Sequence, residues 1–231
     1  MSHNFGFNST THNYWDIYEI IKRYYPIGIN QNEGRGIHNK YNGLKELEAI
    51  IVENIHVAEN YRSRWTNFTR MIGNELEKQI EGRTYGQAPS FSSSVLLESN
   101  QIEDCLHSKE LHFSVSLIGE FYQIYGLDLT TVIEQNEDVG YSSINVITTS
   151  PFEEFRDSFE LVEDKILEKH PTHRIIPFSI GQSVLKGLQV GYIDDENCSI
   201  NQALFNHFLG EENLTKSIRG NKYYGESKWE I

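Results

Sequence analysis

Cys105, His107 and His112 fall within eight residues, CLHSKELH, and Glu103 stands two positions ahead of them. A thiolate, imidazoles and a carboxylate are ligand types that zinc accepts, and a thiol beside an imidazole is the pair from which a thiolate nucleophile is made. Whether these side chains meet depends on the elements that carry them. SVLLESNQIEDCL before them reads as a strand with an irregularity at Ser99 and Asn100, and the stretch from Leu111 to Tyr125 alternates with a period of two. Together they form a hairpin turning at Ser108 and Lys109. In that register Leu106 faces Leu111, Cys105 faces His112 and Asp104 faces Phe113, with the Cys105 and His112 Cβ atoms about 5 Å apart. Glu103, Cys105, His107, Glu110, His112 and Ser114 then line one side, and Ile102, Leu106, Leu111, Phe113 and Val115 the other.

The same pattern also follows from a hairpin that merely has a wet face. Neither Ser108 nor Lys109 favours positive φ, so a loop of odd length would shift the register by one, and the spacing matches no zinc motif.

Around this hairpin the sequence lays out an α+β plan: N-terminal helices, then a mostly antiparallel sheet of about five strands with two further helices. No linker or repeat divides the 231 residues, which read as one domain. Residues 1–13 form a flexible N-terminus, 14–82 a helical part, 91–210 a β-rich part and 211–231 a polar tail. Ile17, Ile20, Ile21 and Tyr24 mark a first helix from Tyr14 to Tyr25, stopped by Pro26. A glycine- and asparagine-rich loop follows, without the spacing of a phosphate-binding motif.

From Leu44 to Ile80 apolar residues recur every three or four positions. They predict one long amphipathic helix, or two broken near Gly73, whose Tyr61, Trp65 and Phe68 belong to the core. Ser142 to Thr149 is a strand. Ser150, Pro151 and Glu153 then predict a capped start for a helix running to His170. RIIPFSI and SVLKGLQVGYI read as strands, and Ser199 with Gln202 opens a last helix ending at Gly210. His170 and His173 stand at a helix end, where they read as dipole partners.

Charge separates the functional classes. Residues 1–90 carry 10 Lys and Arg against 10 Asp and Glu, whereas residues 91–231 carry 10 against 23, so the net −13 arises entirely in the second part. Such a field repels nucleic acid and anionic membrane and attracts basic surfaces. Glu153, Asp157, Glu160, Asp164 and Glu168 fall together on the outward face of the 150–169 helix, and Asp194, Asp195 and Glu196 are adjacent before the last one. Two cysteines, no apolar run of about 20 residues and no secretory leader predict free thiols and a cytoplasmic address.

No hydrolase, metalloprotease, redox or kinase signature is present. In composition and class the chain is similar to bacterial immunity proteins that neutralise basic toxin domains, a likeness that carries no residue positions. The expectation is a non-enzymatic acidic module that binds a basic protein partner, such as a toxin or nuclease domain, through the eight acids above. The alternative is a metal-binding or thiol-dependent enzyme using Cys105, His107, His112 and Glu103, with zinc as cofactor. A third is a homo-oligomer subunit with an aromatic interface.

Overall fold

The computed structural model describes residues 11–32, 36–132, 141–209 and 217–231, and within them the chain is an α+β fold. The first ten residues of the expected flexible N-terminus lie outside the described residues. Ile17, Ile21 and Tyr24 form the buried side of α1 (Trp15–Tyr24), with Asp16 in the first turn and Lys22 and Arg23 in the last, as the helix dipole favours. The apolar stripe beyond it is not one helix. α2 (Asn42–Ile51) widens into a π-type turn over Val52–His56 and stops at Val57, whose φ of −82° and ψ of 101° are extended. It resumes as α3 (Ala58–Tyr61), a second π-type turn over Arg62–Thr66 and α4 (Asn67–Leu76). The break falls at Val57, not Gly73, after a segment rich in β-branched Ile50, Ile51, Val52 and Ile55. There the Asn54 and Asn60 side chains donate to the Ile50 and Glu53 carbonyls. The aromatic stripe is core: Trp65 is 1% exposed, stacks on Phe91 and donates its indole N–H to Ser93 Oγ.

Among the described residues seven strands form the sheet: β1 (Ile80–Gly82), β2 (Ser90–Ile102), β3 (Cys105–Ser116), β4 (Phe121–Val132), β5 (Tyr141–Thr148), β6 (Arg174–Ile175) and β7 (Ser217–Arg219). Their order is β1-β2-β3-β4-β5-β7, antiparallel through β5, with β6 parallel to the start of β4. The hairpin turns at Glu103 and Asp104, with Ile102 opposite Cys105 and Glu103 at φ 52°. Ser108 and Lys109 lie inside β3, where Lys109 bridges Glu98 and Glu154. The predicted strand over 111–125 is two strands joined by Leu117–Glu120. That turn contains Gly119, where a Cβ would stand 2.6 Å from the Phe121 ring.

Three further expectations change. Ser150 does not cap its helix: its Oγ accepts from the Asn221 N–H, and Glu153, at φ 46°, enters a short 3-10 turn that leads into α5 (Arg156–Lys169). RIIPFSI yields only the two residues of β6, because Pro177 starts α6 (Phe178–Gly181), and residues 182–198 run as turns with one bridge from Val184 to Ser199. The last helix, α7 (Ile200–Leu204), has the Ser199–Gln202 capping box but ends well before residue 210.

Both faces of the sheet are buried. On the first, Val95, Leu111, Phe113, Val115, Tyr122 and Ile124 pack against Trp65, Phe68 and Ile72 and against Phe155, Phe159, Val162 and Ile166 of the α5 region. Gly126 makes this packing possible, since a Cβ there would lie 2.5 Å from the Phe155 ring. Across the second face runs the segment 205–209, whose Leu209 packs on Tyr125, Leu127 and Ile147. A further core joins α1, α2 and α7 to Trp229, so the tail packs back, with its indole N–H donating to the Ile175 carbonyl. No helix among the described residues is long and apolar enough to cross a membrane.

Candidate functional site

The ladder separates the residues that would have held zinc. Cys105 lies opposite Ile102 and Val132, and His112 lies seven positions along β3, opposite Ser94 and Tyr125. At about 3.3 Å per residue that is roughly 23 Å, and an odd separation puts the two side chains on opposite faces. Cys105 and His107 share the first face near the strand end, where His107 Nδ1 lies 3.1 Å from Thr130 Oγ1. Glu103 is in the turn. Among the described residues no group of three or more His, Cys, Asp or Glu side chains could hold a metal ion. The Cys105–His112 pairing predicted by a turn at Ser108 is therefore corrected by the position of the real turn.

His112 instead belongs to a buried polar cluster on the second face. Its Nε2 lies 3.0 Å from Glu110 Oε2, and the same carboxylate oxygen accepts from Arg83 at 3.0 Å. Arg83 Nε also donates to Ser94 Oγ at 3.1 Å, and Glu81 meets the guanidinium from outside. Burial pushes the Glu110 carboxyl up, but the His112 hydrogen bond and the charges of His112 and Arg83 outweigh it and hold the group down at about 2.

Further along the same face, Ser92 and Ser114 are 2.9 Å apart, and Asn206 Nδ2 donates to both hydroxyls. Ser90 Oγ donates to the Phe205 carbonyl, so segment 205–209 is bonded to this face through side chains. Tyr125 stacks on the His112 ring at 5.5 Å and Phe208 meets it edge-on at 5.7 Å. A carboxylate-held imidazole has the parts of a general base, but His112 is 4% exposed and packed against two aromatic rings. The geometry is that of a fastened polar core.

Sequence reasoning missed this cluster because a strand face of alternating polar residues looks wet. The available signal was composition. Ser90, Ser92, Ser94, Ser114 and Ser116 are small hydroxyls, which can pair with one another under a cover, whereas a solvated strand face carries longer charged side chains.

The acids divide differently. On α5, Asp157, Glu160, Asp164 and Glu168 are exposed, as is Glu153 just ahead of it. Arg219 bonds Glu153, Glu154 and Asp128, and Lys165 bonds Glu168 and Glu75. Asp157, Glu160 and Asp164 have no ion-pair partner among the described residues. Asp194, Asp195 and Glu196 are exposed too, but they follow the Tyr192 turn and join the side of the molecule built on α1 and α7. The two acidic groups thus stand on layers that cover opposite sheet faces.

His170 and His173 do not act as charged partners of the α5 dipole. Their rings are 4.6 Å apart, and burial, followed by the neighbouring His173 and Lys169 charges, pulls His170 down to about 4. A groove of about 600 Å³ along α4, between Thr66, Arg70, Asn74 and Lys78, is separate from the buried cluster.

No protein family, curated protein or solved structure matches this chain.

Proposed function

We propose that this chain is a non-enzymatic binding module for a basic protein, in the manner of an immunity protein that neutralises a basic toxin or nuclease domain, and that it works in the cytoplasm. One observation carries the reading. Asp157, Glu160 and Asp164 lie exposed at positions i, i+3 and i+7 of α5, and none has an ion-pair partner among the described residues, while Glu153 and Glu168 on either side of them are ion-paired with Arg219 and Lys165. Like charges at this spacing cost a helix about 0.2–0.5 kcal/mol per pair, and a cationic partner reverses that penalty. The long-range field of a chain with net charge −13 would speed the encounter. The same field opposes self-association through α5, and free thiols at Cys105 and Cys198 suit a reducing compartment. Cys105 and His112 lie on opposite faces, so this pair lends no support to the thiol or metal alternative.

The test has two stages. Proteins captured from the native lysate by the tagged chain are eluted with salt and identified, and the one recovered is purified. Its association rate is then measured against the wild type and against the triple variant Asp157→Lys, Glu160→Lys, Asp164→Lys. The rate constant is expected to fall at least tenfold in the variant and steeply with ionic strength in the wild type. Equal rates in a folded variant would remove α5 as the binding face.

A further inference from the structure

Tyr85, Tyr192 and His207 come from three distant parts of the chain and meet in a triangle. Their ring centroids are 5.5 Å (Tyr85–Tyr192), 5.1 Å (Tyr85–His207) and 6.1 Å (Tyr192–His207) apart, with planes inclined at 57°, 75° and 64°. Phe208 stacks on one face of His207 at 5.8 Å, so the ring surface left to a visitor is the exposed part of Tyr85 and the rest of His207. Solvent reaches the triangle. Tyr85 is 39% exposed and His207 is exposed, while Tyr192 is anchored beneath them by its hydroxyl, which donates to the Gln202 carbonyl at 2.6 Å.

Gln202 also fixes one of the neighbouring acids. Its side-chain amide donates to Asp195 Oδ2 at 3.4 Å, so one residue holds Tyr192 through its backbone and Asp195 through its side chain. Asp194, Asp195 and Glu196 are all exposed, and among the described residues none has a cation within ion-pair distance. Exposed aromatic rings near carboxylates without an ion-pair partner match the chemistry of guanidinium, a weakly hydrated planar cation that stacks on aromatic faces and forks onto carboxylates.

We propose that Tyr85, Tyr192 and His207, edged by Asp194, Asp195 and Glu196, form a seat for an arginine side chain of a basic protein partner. The inference rests on the reading that the partner is basic. It adds a defined contact on the side of the sheet away from α5, because His207 and Phe208 belong to the segment that covers the second face.

The test uses the full chain and the peptide acetyl-Gly-Gly-Arg-Gly-Gly-amide, with a control peptide carrying citrulline, the uncharged isostere, in place of arginine. Binding is followed by NMR at the ring protons of Tyr85 and His207. Saturable shifts are expected with the arginine peptide, at an affinity at least about fivefold above the citrulline peptide. Tyr85→Leu and Asp195→Asn should each weaken it by about three- to tenfold. Asparagine keeps an acceptor for Gln202, so the Asp195 variant isolates charge from structure. Equal shifts with the two peptides, or shifts that survive Tyr85→Leu, would overturn the seat. The α5 triple variant should titrate as the wild type does, so a failed seat with intact salt-sensitive capture through α5 refutes the seat alone.

Discussion

Glu110 and His112 stand two residues apart in one strand, and their side chains meet at 3.0 Å on the covered side of the sheet, with Arg83 on the same carboxylate oxygen. A charged network closed beneath a chain segment makes stability depend on pH in a direction that can be stated.

Glu110 titrates at about 2 in the folded protein against an ordinary value of 4.5. Since the folded value is depressed, its contribution is complete above pH 4.5 and is lost as the pH falls toward 2. The shift corresponds to about 3 kcal/mol. The unfolding free energies of wild type and Glu110→Gln from urea titration should therefore converge by about that amount between neutral pH and pH 2. Parallel acid limbs would show that the network contributes nothing of this kind.

His170 gives a second window. Its folded value of about 4 lies below the ordinary 6.5, so its stabilising effect is present above pH 6.5 and disappears as the pH falls through 4. His170→Gln should flatten the stability profile over that interval while leaving the profile above it parallel to the wild type. A profile unchanged between pH 6.5 and pH 4 would refute it.

Gly126 is required by a side chain rather than by a turn. Gly126→Ala places a methyl group 2.5 Å from the Phe155 ring and is expected to cost about 1–3 kcal/mol in calorimetric stability. Phe155→Leu relieves the crowding, so the two changes together should cost less than their sum. Strict additivity would mean that the strand moves instead of the ring.

The two thiols should behave differently. Cys105 is partly exposed at the end of β3, while Cys198 is buried and its thiol is pushed up to about 11 by that burial. One equivalent of an aromatic disulfide reagent is expected to react with the native protein and a second only after unfolding. Cys105→Ser should shift stability by less than about 0.5 kcal/mol. Two fast equivalents would place Cys198 at the surface.

Periodicity carried the parts of the fold that local burial decides. The α1 stripe, the buried Trp65 and Phe68, the β5 strand and the Ser199–Gln202 box all follow from spacing within a few residues. The rest depended on partners far along the chain. Alternation continues smoothly from Leu111 to Tyr125, yet Leu111 and Phe113 face α5 while Tyr125 faces segment 205–209, because an intervening turn changes which parity points to which layer. The polar alternation of β3 looked like a wet surface until Asn206, more than ninety residues onward, supplied its cover. The eight acids were legible as a charge, but their division between two layers was not, since that follows from which core each segment enters.

The ends of the described chain fasten to each other. Asn13 N–H donates to the Trp229 carbonyl, Ile231 N–H to the Thr11 carbonyl, and the Tyr14 hydroxyl reaches Glu226 across 212 positions of sequence at 2.7 Å. Trp229 is 1% exposed, between Tyr14 and Phe121. During synthesis α1 therefore stays without part of its core until residue 229 has been made. Contacts of this span are slow to form because the loop they close is long. α1 is completed only by a segment about 212 positions further along, in a core whose Ile17 and Ile21 have no exposure in the finished protein.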